Sequence, residues 1–169
     1  KLVLDSLGIH KLNDEPMSVA LSSQAVCISC GSANRIPANK PAAAAKCGRC
    51  GAPLGLDAPA EVDDGQLKQV LEKSPGLVLI DVWAPWCGPC TAMAPQFTAA
   101  ASKLAGHARL LKLNADHSQI VSTLGVSGIP ALILFRDGRV IDRKAGLIKS
   151  DALVAWVRGH LTNSDKSEI

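Results

Sequence analysis

The residues with the most chemical potential in this chain are its six cysteines, arranged as three Cys-x-x-Cys pairs in different surroundings. Two cysteines at that spacing can hold half of a metal site, close a structural disulfide, or trade electrons with another protein. Cys27, Cys30, Cys47 and Cys50 read C-x2-C-x16-C-x2-C, within the spacing of a four-thiolate zinc site. Each of these pairs is followed at once by glycine, in "CISCG" and "CGRCG". Cysteines three apart grip one tetrahedral ion only where the chain folds back sharply, and glycine tolerates the positive φ such knuckles use. The intervening "SANRIPANKPAAAAK" lacks the apolar mass for a core of its own, so a metal would have to supply the stability. Four cysteines leave no open coordination position, which makes the expected zinc structural and not catalytic. Two disulfides, or unpaired thiols in a tail, are the competing readings.

The third pair lies in "WAPWCGPC", residues 83 to 90, and has no second half with which to complete a metal site. Cys87 stands where an apolar, strand-like run ends and a helical pattern begins. Free backbone N–H groups and the helix dipole there favour an anion, which lowers a thiol pKa and raises the thiolate fraction. Cys90, one turn further, is placed to attack a mixed disulfide from within. Gly88 allows a partner chain to approach, and Pro89 has no N–H to lose in a first helical turn. Trp86 offers a flat apolar surface beside the nucleophile.

These side chains need elements to position them. In "DDGQLKQVLEKSPG" the residues Leu67, Val70 and Leu71 fall at helical spacing behind the N-cap candidates Asp63 and Asp64 and ahead of a Pro-Gly stop. "LVLIDVW", residues 77–83, reads as a strand covered on both faces. From Cys90 to Leu104 a helix is predicted on Met93, Phe97, Ala100 and Leu104, closed by Gly106, with Pro95 expected to kink it near residue 91. Residues 108–116 predict another buried strand, and 117–125 a short helix capped by Asp116. Residues 131–146 give two strands around Asp137-Gly138, a hairpin signal. The last helix, "SDALVAWVRGHL", carries Leu153, Val154, Trp156, Val157 and Leu161 behind Ser150. With a short strand near "PAEVD", the order predicts a mixed-sheet α/β fold whose central strands are parallel and whose final hairpin is antiparallel.

The expected division is a leader over 1–16, added or disordered, with Met17 a candidate start; a zinc module with its linker over 17–57; the α/β domain over 58–162; and a flexible tail over 163–169. "GAPLGLDAPA", residues 51 to 60, reads as linker. A composition of 47% hydrophobic and 20% charged residues is that of a folded soluble protein, and no apolar run reaches the length of a membrane span. A net charge of +3 announces no nucleic acid. Within the module, zinc with four thiolates carries −2 and offsets half of Arg35, Lys40, Lys46 and Arg49, and no aromatic residue offers a base-stacking platform. Neither nucleic acid nor membrane is therefore an expected partner. The opening residues show no secretion-signal pattern, so the expected compartment is the cytoplasm, where paired cysteines are more often metal ligands or redox catalysts than structural disulfides. His107, His117 and His160 join no metal motif and are expected at the surface.

"WAPWCGPC", the "GVSGIPALILF" of residues 125–135, and Gly138 and Gly146 together closely resemble the thioredoxin family over about residues 58–162. With the four-cysteine module, the chain from Cys27 onward is similar to the zinc-containing bacterial branch often called thioredoxin-2. The resemblance implies a thioredoxin fold with an N-terminal zinc-ribbon module, and a general protein-disulfide reductase in which Cys87 attacks and Cys90 resolves. It further implies a cis Ile129–Pro130 bond facing the pair, a buried Asp81 that assists proton transfer to Cys90, and Lys112 close to that aspartate. Trp86, Gly88, Pro89, Ile129 and Pro130 are the expected substrate surface. The implied cofactors are one structural Zn2+ and a redox-active disulfide; the implied partners are disulfide-bearing proteins and a flavin-containing, NADPH-dependent thioredoxin reductase, acting on a monomer. Plainer readings stand beside these: Asp81 as a hydrogen-bonded structural acid, Lys112 as a lysine with only its stem buried, Trp83 as packing, Pro130 as an ordinary trans turn residue. Two other functions compete, a thiol oxidase or isomerase, and a partner-binding module whose zinc thiolates sense oxidants.

Overall fold

Six of the seven residues of the strand that leads to Cys87 are buried, and the rest of the molecule is arranged to bury them. The computed structural model describes residues 24–161 apart from 38, 42, 43 and 55; the expected leader, the first residues of the module and the tail lie outside the described residues. A first hairpin pairs β1 (Gln24–Val26) antiparallel with β2 (Ala33–Arg35). The larger sheet contains β3 (Ala60–Val62), β4 (Leu77–Trp83), β5 (Ala108–Asn114), β6 (Ala131–Arg136) and β7 (Arg139–Ala145) in the order β3-β5-β4-β6-β7. β3, β5 and β4 run parallel, while β6 and β7 are antiparallel to their neighbours. This is the mixed sheet expected, with the short strand near residue 60 as one rim and the hairpin as the other.

Helices cover both faces. α1 (Asp64–Lys73) begins at a capping box: the Asp63 carboxylate accepts the Gln66 N–H at 2.8 Å and the Gln66 side chain accepts the Asp63 N–H at 3.0 Å. Its Leu67 and Val70 pack on Val78, Ile80, Leu111 and Ile133. On the opposite face α2 (Gly88–Lys103) and α4 (Ser150–Leu161) lay Met93, Phe97, Leu153 and Val157 against Leu79, Leu110 and Leu132. Successive β4 residues thus feed alternate cores, which is why the strand reads as continuously apolar rather than alternating.

Local expectations are corrected in four places. α2 starts two residues before Cys90, and it runs through Pro95 to Lys103. Residues 115–123 are a 3-10 turn (Ala115–His117) followed by the short α3 (Ile120–Thr123), and Asp116 caps neither: Asn114 accepts the Asp116 N–H at 3.0 Å, leaving the Asp116 carboxylate free for a partner elsewhere. Ser150 lies in the first turn of α4 with its hydroxyl buried and without a hydrogen-bond partner among the described residues. The expected linker is no free tether at its start, since Leu54 is buried, its N–H bonds Ala45 O at 2.9 Å, and Pro53 bridges to Lys46. The hairpin turn is as expected, with φ +49° at Asp137 and +77° at Gly138.

Candidate redox site and metal centre

Cys87 is the N-cap of α2, with φ −87° and ψ 106°, and its sulfur accepts the Cys90 N–H at 3.2 Å. An N-cap side chain normally supplies oxygen to such an orphan N–H; here a sulfur does so, and the same donors that it satisfies stabilise a thiolate. Cys87 and Cys90 are joined by a disulfide, and both are nearly buried, 5% and 3% exposed. The Cys87 sulfur lies 3.8 Å from Ile129 O, and the Ile129–Pro130 bond is cis. Gly146 N–H donates to Pro130 O at 2.9 Å and fixes that loop from the far side. Ile129 is half-buried and Pro130 buried, whereas Gly88 and Pro89 are exposed.

Trp86 is 70% exposed, the largest exposure among the large apolar side chains described. Its indole N–H donates to both oxygens of Asp116, at 2.9 and 3.1 Å. The ring is therefore held at one edge while its face stays open beside the disulfide. Among the described residues, an exposed apolar ring, an exposed Gly-Pro pair and a backbone carbonyl lie around the sulfur pair.

Asp81 is fully buried in β4, between Lys112 on β5 and Leu132 on β6. Neither carboxylate oxygen has a hydrogen-bond partner among the described residues, so the hydrogen-bonded structural acid is not what the geometry gives. Burial pushes the Asp81 carboxyl up to about 6, against the pull of the Lys112 charge. Lys112 is half-buried, and its amine sits 4.2 Å above the centre of the Trp83 ring instead of extending into solvent. Trp83 is thus more than packing: it holds the cation that faces Asp81. A carboxyl that titrates near neutrality can both take and give a proton at the pH where thiols exchange.

The other four cysteines converge. Their sulfurs all lie within 4.8 Å of one another, with Cys27 to Cys50 at 3.7 Å and Cys30 to Cys47 at 3.6 Å. A tetrahedron with metal–sulfur bonds of about 2.3 Å has edges of about 3.8 Å, so the donor set fits zinc. The two knuckles repeat each other: Gly31 N–H donates to Cys27 O at 2.8 Å and Gly51 N–H to Cys47 O at 2.9 Å. Cys27 N–H then bonds Ser32 O and Cys47 N–H bonds Ala52 O. Gly31 and Gly51 adopt φ of +68° and +72°, the left-handed turn their position required. Bound there, zinc would supply cross-linking of two short segments and no reaction step.

Three side chains escaped the sequence reading. Asp116 was assigned to a helix cap, and its contact with Trp86 spans 30 residues without a local signal. His160 is not a free surface residue: its Nε2 lies 2.9 Å from Asp142 Oδ2, which also accepts the Trp156 indole N–H at 2.7 Å. Arg109 is a cation 7% exposed within the apolar run "ARLLKL", the same kind of anomaly that singled out Asp81.

Comparison with known proteins separates the chain into the same two parts. The family model described as Thioredoxin matches residues 58–159, and one described as Thioredoxin 2, N-terminal, a zinc ribbon, matches residues 26–52. Thioredoxin C-3 of Corynebacterium nephridii is 33% identical over 133 residues, 78% of this chain and 91% of its own length. The thioredoxin of Pseudomonas aeruginosa is 39% identical over 59% of this chain and 94% of its own. Among solved structures, a mutant thioredoxin from Halobacterium salinarum superposes with a TM-score of 0.54 at 33% identity, covering 62% of this chain and 92% of that one.

Proposed function

Because the chain belongs to the thioredoxin family of protein-disulfide oxidoreductases, we propose that it is a general protein-disulfide reductase in which Cys87 is the attacking sulfur and Cys90 the resolving one. The observation that carries the proposal is the Cys87 sulfur seated as the N-cap of α2 with the Cys90 N–H pointed at it. That seat favours the anion, and only the thiolate is a competent nucleophile.

In the dithiol form, Cys87 thiolate attacks one sulfur of a target disulfide. A mixed disulfide forms and the target's other sulfur leaves as thiolate. Cys90 then gives up its proton, with Asp81 as the buried acceptor, and attacks the Cys87 sulfur. The second target thiolate departs, leaving the Cys87–Cys90 disulfide found here. The target lies as an extended segment against Ile129, Pro130, Gly88 and Pro89, with the face of Trp86 as its apolar floor, while Lys112 on Trp83 tunes Asp81. A flavin-containing, NADPH-dependent thioredoxin reductase returns the two electrons. One structural zinc ion on Cys27, Cys30, Cys47 and Cys50 completes the protein, which works as a monomer. The cytoplasm is the proposed compartment, since there both the dithiol and the zinc thiolates stay reduced.

The test is insulin reduction coupled to a thioredoxin reductase and NADPH. Cys87→Ser should abolish turnover, and Cys90→Ser should accumulate a mixed disulfide visible as a heavier band without reductant. Full turnover by Cys87→Ser would remove the assignment.

A further inference from the structure

Arg109 reaches out of β5, opposite Val78 at the start of β4, and is 7% exposed. No carboxylate among the described residues pairs with it. Its two Nη atoms donate instead to backbone carbonyls of the cysteine module, Val26 O at 2.6 Å and Leu54 O at 3.2 Å. These carbonyls come from opposite ends of the module. Val26 directly precedes Cys27, while Leu54 lies beyond Cys50 and is tied back to Ala45, two residues before Cys47. One planar fork therefore spans both arms at the point where they meet the larger domain.

Burying a cation is costly unless acceptors replace its water, and here both acceptors belong to the module. The module, in turn, buries little around its cysteines among the described residues beyond Ala25, Ala45 and Leu54, and needs something to join its two knuckles. Among the described residues, its remaining polar ties to the domain run through the first arm: Val26 N–H donates to Ser74 Oγ at 3.2 Å, and Gln66 Nε2 donates to Ile28 O at 2.9 Å. Among the described residues, only Arg109 engages both.

We propose that Arg109 is the positioning residue of the metal centre, a buried cation that couples zinc retention in the module to the folded redox domain. The proposal rests on the reading of the four cysteines as a zinc site. Zinc aligns the two carbonyls that Arg109 needs, and Arg109 holds the two arms at the separation zinc needs. By linkage the two effects are equal in size. The negative charge that four thiolates on one zinc ion would carry adds attraction for the guanidinium. The coupling leaves the dithiol alone, because Val78 and Trp83 lie five strand steps apart, about 17 Å of sheet.

The experiment is zinc affinity of the full chain by chelator competition, for the wild type, Arg109→Lys and Arg109→Met, alongside insulin reduction. Arg109→Met should weaken zinc by about tenfold or more, the range found when a residue supporting metal ligands is removed. Arg109→Lys should recover only part, since an ammonium has no fixed fork. Insulin reduction should stay within about twofold for both, given that distance. Zinc affinity within about twofold of wild type for a folded Arg109→Met overturns the coupling and leaves the zinc site standing. A wild-type chain that binds no zinc removes both. Should Arg109→Met fail to fold, the guanidinium N–H signals of the wild type serve instead. They should be resolved by NMR with zinc bound and collapse on chelation; signals unchanged by chelation overturn the proposal.

Discussion

At the scale of single residues, the group with the most measurable signature is Asp81. A carboxyl that titrates at about 6 in place of its ordinary 3.8 binds its proton more tightly folded than unfolded. Between those two values the native state holds more protons than the unfolded one, so stability falls as pH rises through that window and is flat above it. The loss amounts to about 3 kcal/mol. Asp81→Asn should remove this pH dependence, giving a protein more stable than wild type at pH 8 and no more stable at pH 3.5 in urea titrations. The same variant should slow insulin reduction by about tenfold to a hundredfold, as expected for loss of a general base. An unchanged rate would return Asp81 to a structural role. Nearby, Asp116→Ala should release the Trp86 indole, visible as increased mobility in Trp86 fluorescence anisotropy. The mild cost to stability expected is about 1 kcal/mol, for one exposed hydrogen-bonded contact.

At the scale of elements, the Asp137-Gly138 turn offers a controlled comparison. Both Gly138 and Gly125 have positive φ, +77° and +69°. A Cβ on Gly138 would meet Leu71 O of α1 at 2.5 Å, whereas one on Gly125 meets nothing within 4 Å. Gly125→Ala should therefore cost about 1 kcal/mol of backbone strain, and Gly138→Ala about 2 kcal/mol or more because the hairpin must also move away from α1. Equal urea midpoints for the two would contradict this. The elements legible in the sequence are those with a strong period or a chemical stop: the helix behind the N-cap candidates Asp63 and Asp64, the unbroken apolar run of β4, the turn at Asp137-Gly138. What it hid was set by distant contacts. Ser150 has cap chemistry, yet its N–H is taken by Gln96 and its hydroxyl is buried unused. Asp116 reads as a cap, yet Asn114 caps the turn and Asp116 serves Trp86.

At the scale of the whole molecule, the two cysteine chemistries sit in separate settings, and in the sequence they are told apart by two pairs facing each other across sixteen residues against a lone pair at a strand–helix junction. How the two parts join was not legible, because a backbone carbonyl leaves no trace in a sequence and Arg109 binds two of them. Removing zinc with a chelator should lower the thermal midpoint by about 5–15 °C, the loss expected if roughly 1–2 kcal/mol of docking is given up by a domain of this size. Calorimetry with and without chelator measures it, and an unchanged midpoint would mean the module contributes nothing to the stability of the sheet. A last consequence follows from β7, the outer rim of the sheet, whose residues are largely exposed and whose register slips between Leu134 and Phe135. Ile141 on that rim has Arg139, Arg143 and Lys144 near it in the strand, while the neighbouring Asp142 is engaged by Trp156 and His160. Like charges and a kinked ladder oppose rim-to-rim pairing of two copies. The open ring of Trp86 thus belongs to a molecule whose exposed sheet rim is charged against pairing with its own kind.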